Sequence, residues 1–307
     1  MQRQVDIYLN GRAGSGLVMN LILLKPSELT EQHNHSGSSK LATLTKNDER
    51  SVHIIKHLQK SGDQVSIGIV GEFKYNALVQ LNDDGSVTLL VQDDTKVIQE
   101  QNEPEITVLL ALPFPARLKA LWPVLSSFCA VTRIVVVKGQ LSNEEFCESS
   151  SLQPKVYEPL IEKGMGQGVR TRPVQVDICV DDFASKSLLE KLGLLKEKSS
   201  KTDGLARLFL DCGDEMTIPP PARDIIMKHC SQSCIPKAII ALGPERGWTE
   251  SEAKLFVFEC GFESATLGSS ILRVDTAAIV GVGIVSAALD DCASQTRVDE
   301  SSKKRKW

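Results

Sequence analysis

No run in the 307 residues approaches the roughly 18 consecutive apolar positions that a membrane-spanning helix needs, so no such helix is expected. The N-terminus lacks the basic, then apolar, then small-residue order of a secretory signal. Arg3, Asp6 and Arg12 among small residues leave an organelle-targeting extension open over the first 18 positions. No Cys-x-x-Cys pair occurs among the eight cysteines, Cys129, Cys147, Cys179, Cys212, Cys230, Cys234, Cys260 and Cys292. Their scatter speaks against a disulfide framework, and most lie among apolar neighbours, where a free cysteine behaves as a small hydrophobe. Reduced thiols are therefore expected. His229, Cys230 and Cys234 alone have metal-like spacing, and without a fourth ligand no metal site is expected. Gly11-Arg12-Ala13-Gly14-Ser15-Gly16 lacks the Lys-Ser/Thr of a phosphate loop and the strand and helix that frame one. An excess of positive charge is also missing: the net charge is −4, which leaves any nucleic-acid binding to a local patch. Lys303-Lys304-Arg305-Lys306-Trp307 is the one dense basic run, suited to a solvated end, nuclear import or an RNA contact. A soluble protein of the cytoplasm is the expectation, with organelle and nucleolus left open.

What is present is an ordinary globular composition, 42% apolar and 24% charged, with length for two domains. From Met19 to about Asp94 the apolar stretches are short and β-like: Leu21–Leu24, Gln64–Val70, Asn76–Leu81 and Val87–Val91. Gly62-Asp63 and Asn82–Gly85 punctuate them as turns. One helix is expected around Asp48–Leu58, and the polar, Ser- and His-rich residues 31–46 read as a loop. This is the pattern of a small β-barrel. From Glu105 strands and helices alternate. Strands are expected at Ile106–Leu112, Ile134–Val137, Val174–Val180, Leu205–Asp211 and Lys237–Leu242. Helices are expected at Ala116–Phe128, Tyr157–Gly164, Phe183–Leu192 and Arg223–Cys230. Such alternation predicts a parallel sheet covered by helices. The expected organisation is an extension (1–18), a barrel (19–95), a linker (96–104), an α/β domain (105–292) and a basic tail (293–307).

Two segments carry the chemistry. In Ala238–Thr249 a buried strand runs into the turn Gly243-Pro244-Glu245-Arg246-Gly247-Trp248 and then into a helix opened by the capping box Thr249-x-x-Glu252. Ligands of open α/β sheets bind beyond the carboxyl ends of strands, and glycines there let the backbone approach a flat molecule. The second segment is Leu267-Gly268-Ser269-Ser270-Ile271-Leu272-Arg273-Val274-Asp275-Thr276-Ala277-Ala278. It leads into a helix apolar nearly all round, which must be buried on several faces.

Together these segments resemble the cofactor loops of the SPOUT superfamily, and more narrowly the RsmE family of 16S ribosomal RNA uridine-N3 methyltransferases. That family shows Gly-Pro-Glu-x-Gly and then Leu-Gly-x-x-Ile-Leu-Arg-x-Glu-Thr-Ala; here Asp275 replaces the glutamate. Met19–Leu24, His53–Leu58 with Gly62-Asp63, and Glu162–Pro173 are similar to further family stretches, so the likeness runs from about Met19 to Asp290. The family's lysine after the first strand of the methyltransferase domain and its later Arg-Ser pair are missing, where Trp122–Val131 and Lys138-Gly139-Gln140 stand instead.

The resemblance implies a trefoil-knotted α/β methyltransferase domain with a largely parallel sheet, preceded by a small PUA-like RNA-binding β-barrel. It implies S-adenosyl-L-methionine as cofactor, N3 of a uridine in small-subunit ribosomal RNA as acceptor, and a homodimer. Leu242, Gly243, Pro244, Glu245, Gly247, Trp248, Leu267, Gly268, Ile271, Leu272, Thr276 and Ala277 become the cofactor-binding candidates. Arg273 is the catalytic candidate, because a guanidinium stays charged and stabilises charge developing on uracil oxygens; its plainer role is an ion pair with Asp275 or Glu245. Gln167, Arg170, Arg172 and Lys56 are the RNA-binding candidates. His53 and His57, at i,i+4 spacing, are read as packing residues and not as metal ligands. The missing lysine and Arg-Ser pair keep two alternatives open: a catalytically silent RNA-binding assembly factor, or a SPOUT enzyme with a different RNA target.

Overall fold

The computed structural model describes residues 21–34, 37–57, 60–97, 103–195, 205–211, 218–230 and 237–304. The expected extension over 1–18, most of the linker, Cys212, Cys234 and the last residues of the basic tail lie outside the described residues. The chain divides into two compact units, residues 1–99 with 166–172, and residues 100–165 with 173–307.

The first unit contains β1 (Ile22–Leu24), β2 (Thr30–Asn34), β3 (Gly37–Leu44), α1 (Glu49–His57), β4 (Gln64–Ile69), β5 (Lys74–Leu81) and β6 (Val87–Val97). The strands form one curled half-barrel sheet in the order β1-β4-β5-β6-β3-β2, parallel between β1 and β4 and antiparallel elsewhere. Alternation decides the inner face: Tyr75, Ala77 and Val79 of β5 and Val87, Leu89 and Val91 of β6 point into a core with Leu24, Ile54, Ile67 and Ile69. The loop expected over residues 31–46 is instead largely a hairpin. Thr30 pairs with Leu41 and Asn34 with Gly37, while β3 pairs with β6 and buries Ala42 and Leu44. The strand partner of β3 lies more than forty residues onward, so local composition does not reveal the pairing.

Residues Gly166–Arg172, expected in the α/β domain, belong to the first unit. They complete its backbone hydrogen bonding: Leu21 N–H donates to the Gly166 carbonyl (3.1 Å) and Gly71 N–H to the Thr171 carbonyl (2.8 Å). The Thr171 hydroxyl donates to the Glu72 carbonyl at 2.8 Å.

The second unit contains β7 (Glu105–Ala111), α2 (Pro115–Ser127), β8 (Val131–Lys138), most of α3 (Pro154–Gln167), β9 (Gln175–Phe183), α4 (Lys186–Lys191), β10 (Leu205–Leu210), α5 (Ala222–Cys230), β11 (Lys237–Leu242), α6 (Glu250–Lys254), β12 (Glu263–Ala265) and α7 (Val274–Lys304). Its six strands are all parallel, in the order β12-β10-β11-β7-β8-β9. The central strands are continuous apolar runs, Val108–Leu112, Ile134–Val137 and Ala238–Leu242, buried as strands covered on both faces must be. β12 was not expected, because three residues are too few to show a period. Trp122, in the stretch that departs from the family pattern, is fully buried and donates its indole N–H to the Ser151 carbonyl (3.1 Å).

Two expectations fail here. Val274–Ser294 of α7 is, by length and composition, apolar enough to cross a membrane, although no uninterrupted apolar run announces it. Ala278, Val282, Val285, Ala288, Leu289 and Cys292 on that helix are buried within the protein. Cys129, Cys147, Cys179 and Cys260 are free thiols, but Cys292 is disulfide-bonded. Spacing along the chain cannot tell which cysteines tertiary packing brings together.

Candidate active site

The first candidate cofactor segment leaves the carboxyl end of β11 at the buried Leu242. Pro244 is buried and its carbonyl accepts from Gly247 N–H at 2.9 Å, closing a tight turn. Gly247 has φ +75°, a left-handed conformation that side chains disfavour. A Cβ on Gly243 would lie 3.0 Å from Trp248 Cδ1 and 3.1–3.2 Å from the Gly247 backbone, so only glycine leaves that concave backbone its shape. The Trp248 ring stacks in a tilted arrangement on Phe256 (centroids 4.9 Å apart) and Phe209 (5.9 Å), which anchors the turn to the core. The buried indole nitrogen of Trp248 has no hydrogen-bond partner among the described residues.

Two carboxylates tie this turn to neighbouring strand ends. Glu245 accepts from the Phe114 N–H (2.9 Å) and from Arg117 Nη1 (3.0 Å), so it caps the start of α2 beyond β7. Glu252, 1% exposed, accepts from the Gln140 N–H beyond β8 (2.8 Å) and from both the N–H and the hydroxyl of Thr249 (each 2.8 Å). The capping box read from the sequence is therefore present, and it does more than open a helix. α6 is short, passing into a single π turn at Leu255–Glu259 and ending near Gly261 at φ +76°.

The second segment leaves the carboxyl end of β12. Leu267 is half-buried, while Gly268, at φ +132°, and Ile271, 89% exposed, face open space. The Thr266 hydroxyl donates to the Gly268 carbonyl at 2.8 Å and holds the bend. Leu272 and Ala277 are half-buried and Thr276 is exposed in the first turn of α7, whose register starts with Ala277 N–H donating to the Arg273 carbonyl (2.7 Å). β11 and β12 are the two neighbours of β10 and run parallel to it, so both segments leave the sheet at its carboxyl end.

Arg273 is exposed and makes a two-point contact with Asp275, Nε to Oδ1 at 3.2 Å and Nη2 to Oδ2 at 2.6 Å. That hydrogen bonding from the guanidinium holds the Asp275 carboxyl below its usual range. The ion pair weighed in the sequence is thus formed with Asp275, and Glu245 is engaged by Arg117 instead.

The RNA-binding candidates all fall in the first unit. Lys56 is exposed on α1, Gln167 is exposed and Arg172 is half-buried. Arg170 differs from expectation: it is 1% exposed, and its Nε donates to the Arg172 carbonyl at 3.0 Å, so it braces its own segment instead of facing solvent. Burial, reinforced by His57 and Lys56, lowers the pKa of His53, and the two histidine rings lie 4.6 Å apart. Sequence reasoning passed over Phe114 and Arg117. The signal available for Phe114 was an aromatic between two prolines directly after a strand.

A family model described as an RNA methyltransferase domain matches residues 100–286. The chain is 24% identical over 247 residues to the ribosomal RNA small subunit methyltransferase E 1 of Borreliella burgdorferi, covering 80% of this chain and 93% of that one. It is 25% identical to the ribosomal RNA small subunit methyltransferase E of Treponema pallidum, covering 88% and 91% of the two chains. The structure resembles that of a ribosomal RNA small subunit methyltransferase E from Neisseria gonorrhoeae bound to S-adenosyl methionine, with a TM-score of 0.60 at 18% identity, covering 88% of this chain and 97% of that one.

Proposed function

The chain belongs to the RNA methyltransferase domain family, and from that premise we propose that it methylates N3 of a uridine in small-subunit ribosomal RNA, using S-adenosyl-L-methionine. The observation that carries the reading is the Gly243–Trp248 turn at the carboxyl end of β11, folded so closely that a Cβ on Gly243 would lie 3.0 Å from Trp248 and 3.1–3.2 Å from the Gly247 backbone, which leaves the main chain there bare of side chain. Small-subunit ribosomal RNA is the substrate class named for the Borreliella and Treponema relatives.

The turn fits a flat, polar ligand. Leu242, Gly243, Pro244, Glu245, Gly247 and Trp248 would hold the cofactor on one side, and Leu267, Gly268, Ile271, Leu272, Thr276 and Ala277 on the other. Backbone amides and carbonyls fixed in a tight turn recognise such a ligand with little reorganisation. When bound, the cofactor supplies an electrophilic methyl group on a sulfonium. The protein's task is then largely to position the acceptor nitrogen. Uridine N3 is reactive once its proton has passed to water, and the negative charge so formed spreads over the uracil oxygens. Arg273, aimed by Asp275, is the fixed positive fork that stabilises that charge. Lys56, Gln167 and Arg172 of the first unit serve as RNA contacts.

A homodimer is part of the proposal. Ile279 is 38% exposed and Ala287 exposed on α7, an apolar helix surface that a second subunit would cover. Incubation with unmodified small-subunit ribosomal RNA transcript and labelled S-adenosylmethionine, followed by nucleoside mass spectrometry, is the test. The expected product is 3-methyluridine; cofactor binding without any methylated nucleoside would refute the activity.

A further inference from the structure

Phe114 lies between β7 and α2 and is 52% exposed, an unusual place for a phenylalanine. Several independent constraints hold it there. Pro115 confines the preceding residue to extended backbone, and Phe114 has φ −53° and ψ 131°. Pro113, on its other side, is buried. The Phe114 amide donates to Glu245, which belongs to the Gly243–Trp248 turn. Its ring meets Phe146 edge to face, with centroids 4.9 Å apart and planes at 68°.

A side chain immobilised before any ligand arrives loses little further entropy on binding, the condition for an efficient contact. Phenylalanine has no polar tip, so only its face and apolar area are on offer. The neighbouring guanidinium of Arg117 is already paired with Glu245, so its charge is engaged within the protein. A planar, uncharged partner suits such a surface, and unstacked nucleobases are recognised on aromatic rings in this way.

We propose that Phe114, buttressed by Phe146, is the platform on which a base of the RNA substrate stacks as the acceptor nucleotide reaches the Gly243–Trp248 turn. The proposal rests on the RNA methyl-transfer reading above and adds a substrate-binding residue to it.

The test compares Phe114→Leu, which keeps apolar volume without the aromatic face, with Phe114→Trp, which keeps the face. KM for small-subunit ribosomal RNA transcript, Kd for S-adenosylmethionine and sedimentation are measured on the full chain. Phe114→Leu is expected to raise the RNA KM by about 5- to 100-fold while leaving the cofactor Kd and the sedimentation unchanged, and Phe114→Trp to restore a near-normal KM. An unchanged KM in Phe114→Leu overturns the proposal. So does equal loss in both variants, which marks a packing role, or a shift of Phe114→Leu to a smaller sedimenting species, which assigns the ring to a subunit contact. Should the unaltered protein methylate nothing, the methyl-transfer reading fails by itself. Binding of a uridine decamer by anisotropy then still decides about Phe114: weaker binding by Phe114→Leu supports stacking, and equal binding refutes it.

Discussion

Gly243 and Gly247 stand four residues apart and are needed for different reasons, which makes them separable by mutation. Gly243→Ala would push a methyl group to 3.0 Å from the Trp248 ring and against the Gly247 backbone. It should cost about 1–3 kcal/mol of stability by overpacking and weaken S-adenosylmethionine binding roughly tenfold or more, a loss of about 1.4 kcal/mol. Gly247→Ala meets no atom within 4 Å and suffers only from its positive φ. A destabilisation of about 1–2 kcal/mol is expected there, with a smaller effect on cofactor affinity. Titration calorimetry and urea unfolding of both variants check this, and equal effects on Kd would refute the close-approach argument. At Arg273 the proposed role is electrostatic. Arg273→Lys loses the planar fork and is expected to lower kcat about 10²-fold with little change in melting temperature, because the side chain is exposed. A fall in stability with unchanged kcat would show that the pair with Asp275 is only structural.

At the scale of elements, α1 is secured by one arginine. Arg50 donates to Asp48 at its own helix start (2.7 Å), to the Leu23 carbonyl in β1 (2.7 Å) and to Glu28 (2.5 Å). Hydrogen bonds from Arg50, opposed by burial, hold Asp48 below its ordinary 3.8. For Glu28, burial opposes but the bonds from Arg50 and the Lys25 amide prevail, holding it below 4.5. Lowered native values mean stabilisation that is complete above the unfolded values and lost as pH falls through the native ones. Arg50→Met is therefore expected to cost about 2–3 kcal/mol near neutral pH, and progressively less as pH falls through the lowered native values of the two carboxyls. Unfolding midpoints measured across that range test it; a constant difference would remove the ion cluster from the account.

The same scale shows what the sequence discloses. Thr249 and Glu252 are legible because a capping box is a local signal, and β11 because a strand buried on both faces is a continuous apolar run. β2 and β3 are hidden, since their pairing depends on β6 and their composition resembles a loop. The turn glycines could be singled out as cofactor-site candidates through their family pattern. The grip of Glu245 on Phe114 could not, because those residues meet only after β7 and β11 pair. Arg170 misleads for a similar reason: a charged residue near a helix end suggests solvent, and only the fold shows that its segment is an interior brace.

For the whole molecule, two expectations concern assembly. The apolar surface left on α7 predicts a dimer, so sedimentation velocity at micromolar concentration should show twice the 33.6 kDa chain mass; a strictly monomeric profile would contradict it. The first unit needs Gly166–Arg172, whose carbonyls satisfy the Leu21 and Gly71 amides. A fragment ending at Gln99 leaves those donors without their partners, each worth about 1–3 kcal/mol where buried. It should unfold at lower urea than the corresponding transition of the full chain, and adding a peptide of residues 166–172 should shift its midpoint upward. Identical midpoints with and without the peptide would show that the heptapeptide is dispensable.

That borrowed heptapeptide also sets a timetable. Chains emerge from the ribosome at about 5–20 residues per second, and amino-terminal domains commonly fold as they appear. Here roughly 70 residues separate the last residue of the sheet-bearing stretch from the end of the heptapeptide, a delay of roughly 4–15 s at that pace. During that interval the nascent half-barrel waits with one side unsealed, and its completion is postponed until the first third or so of the second unit has been made.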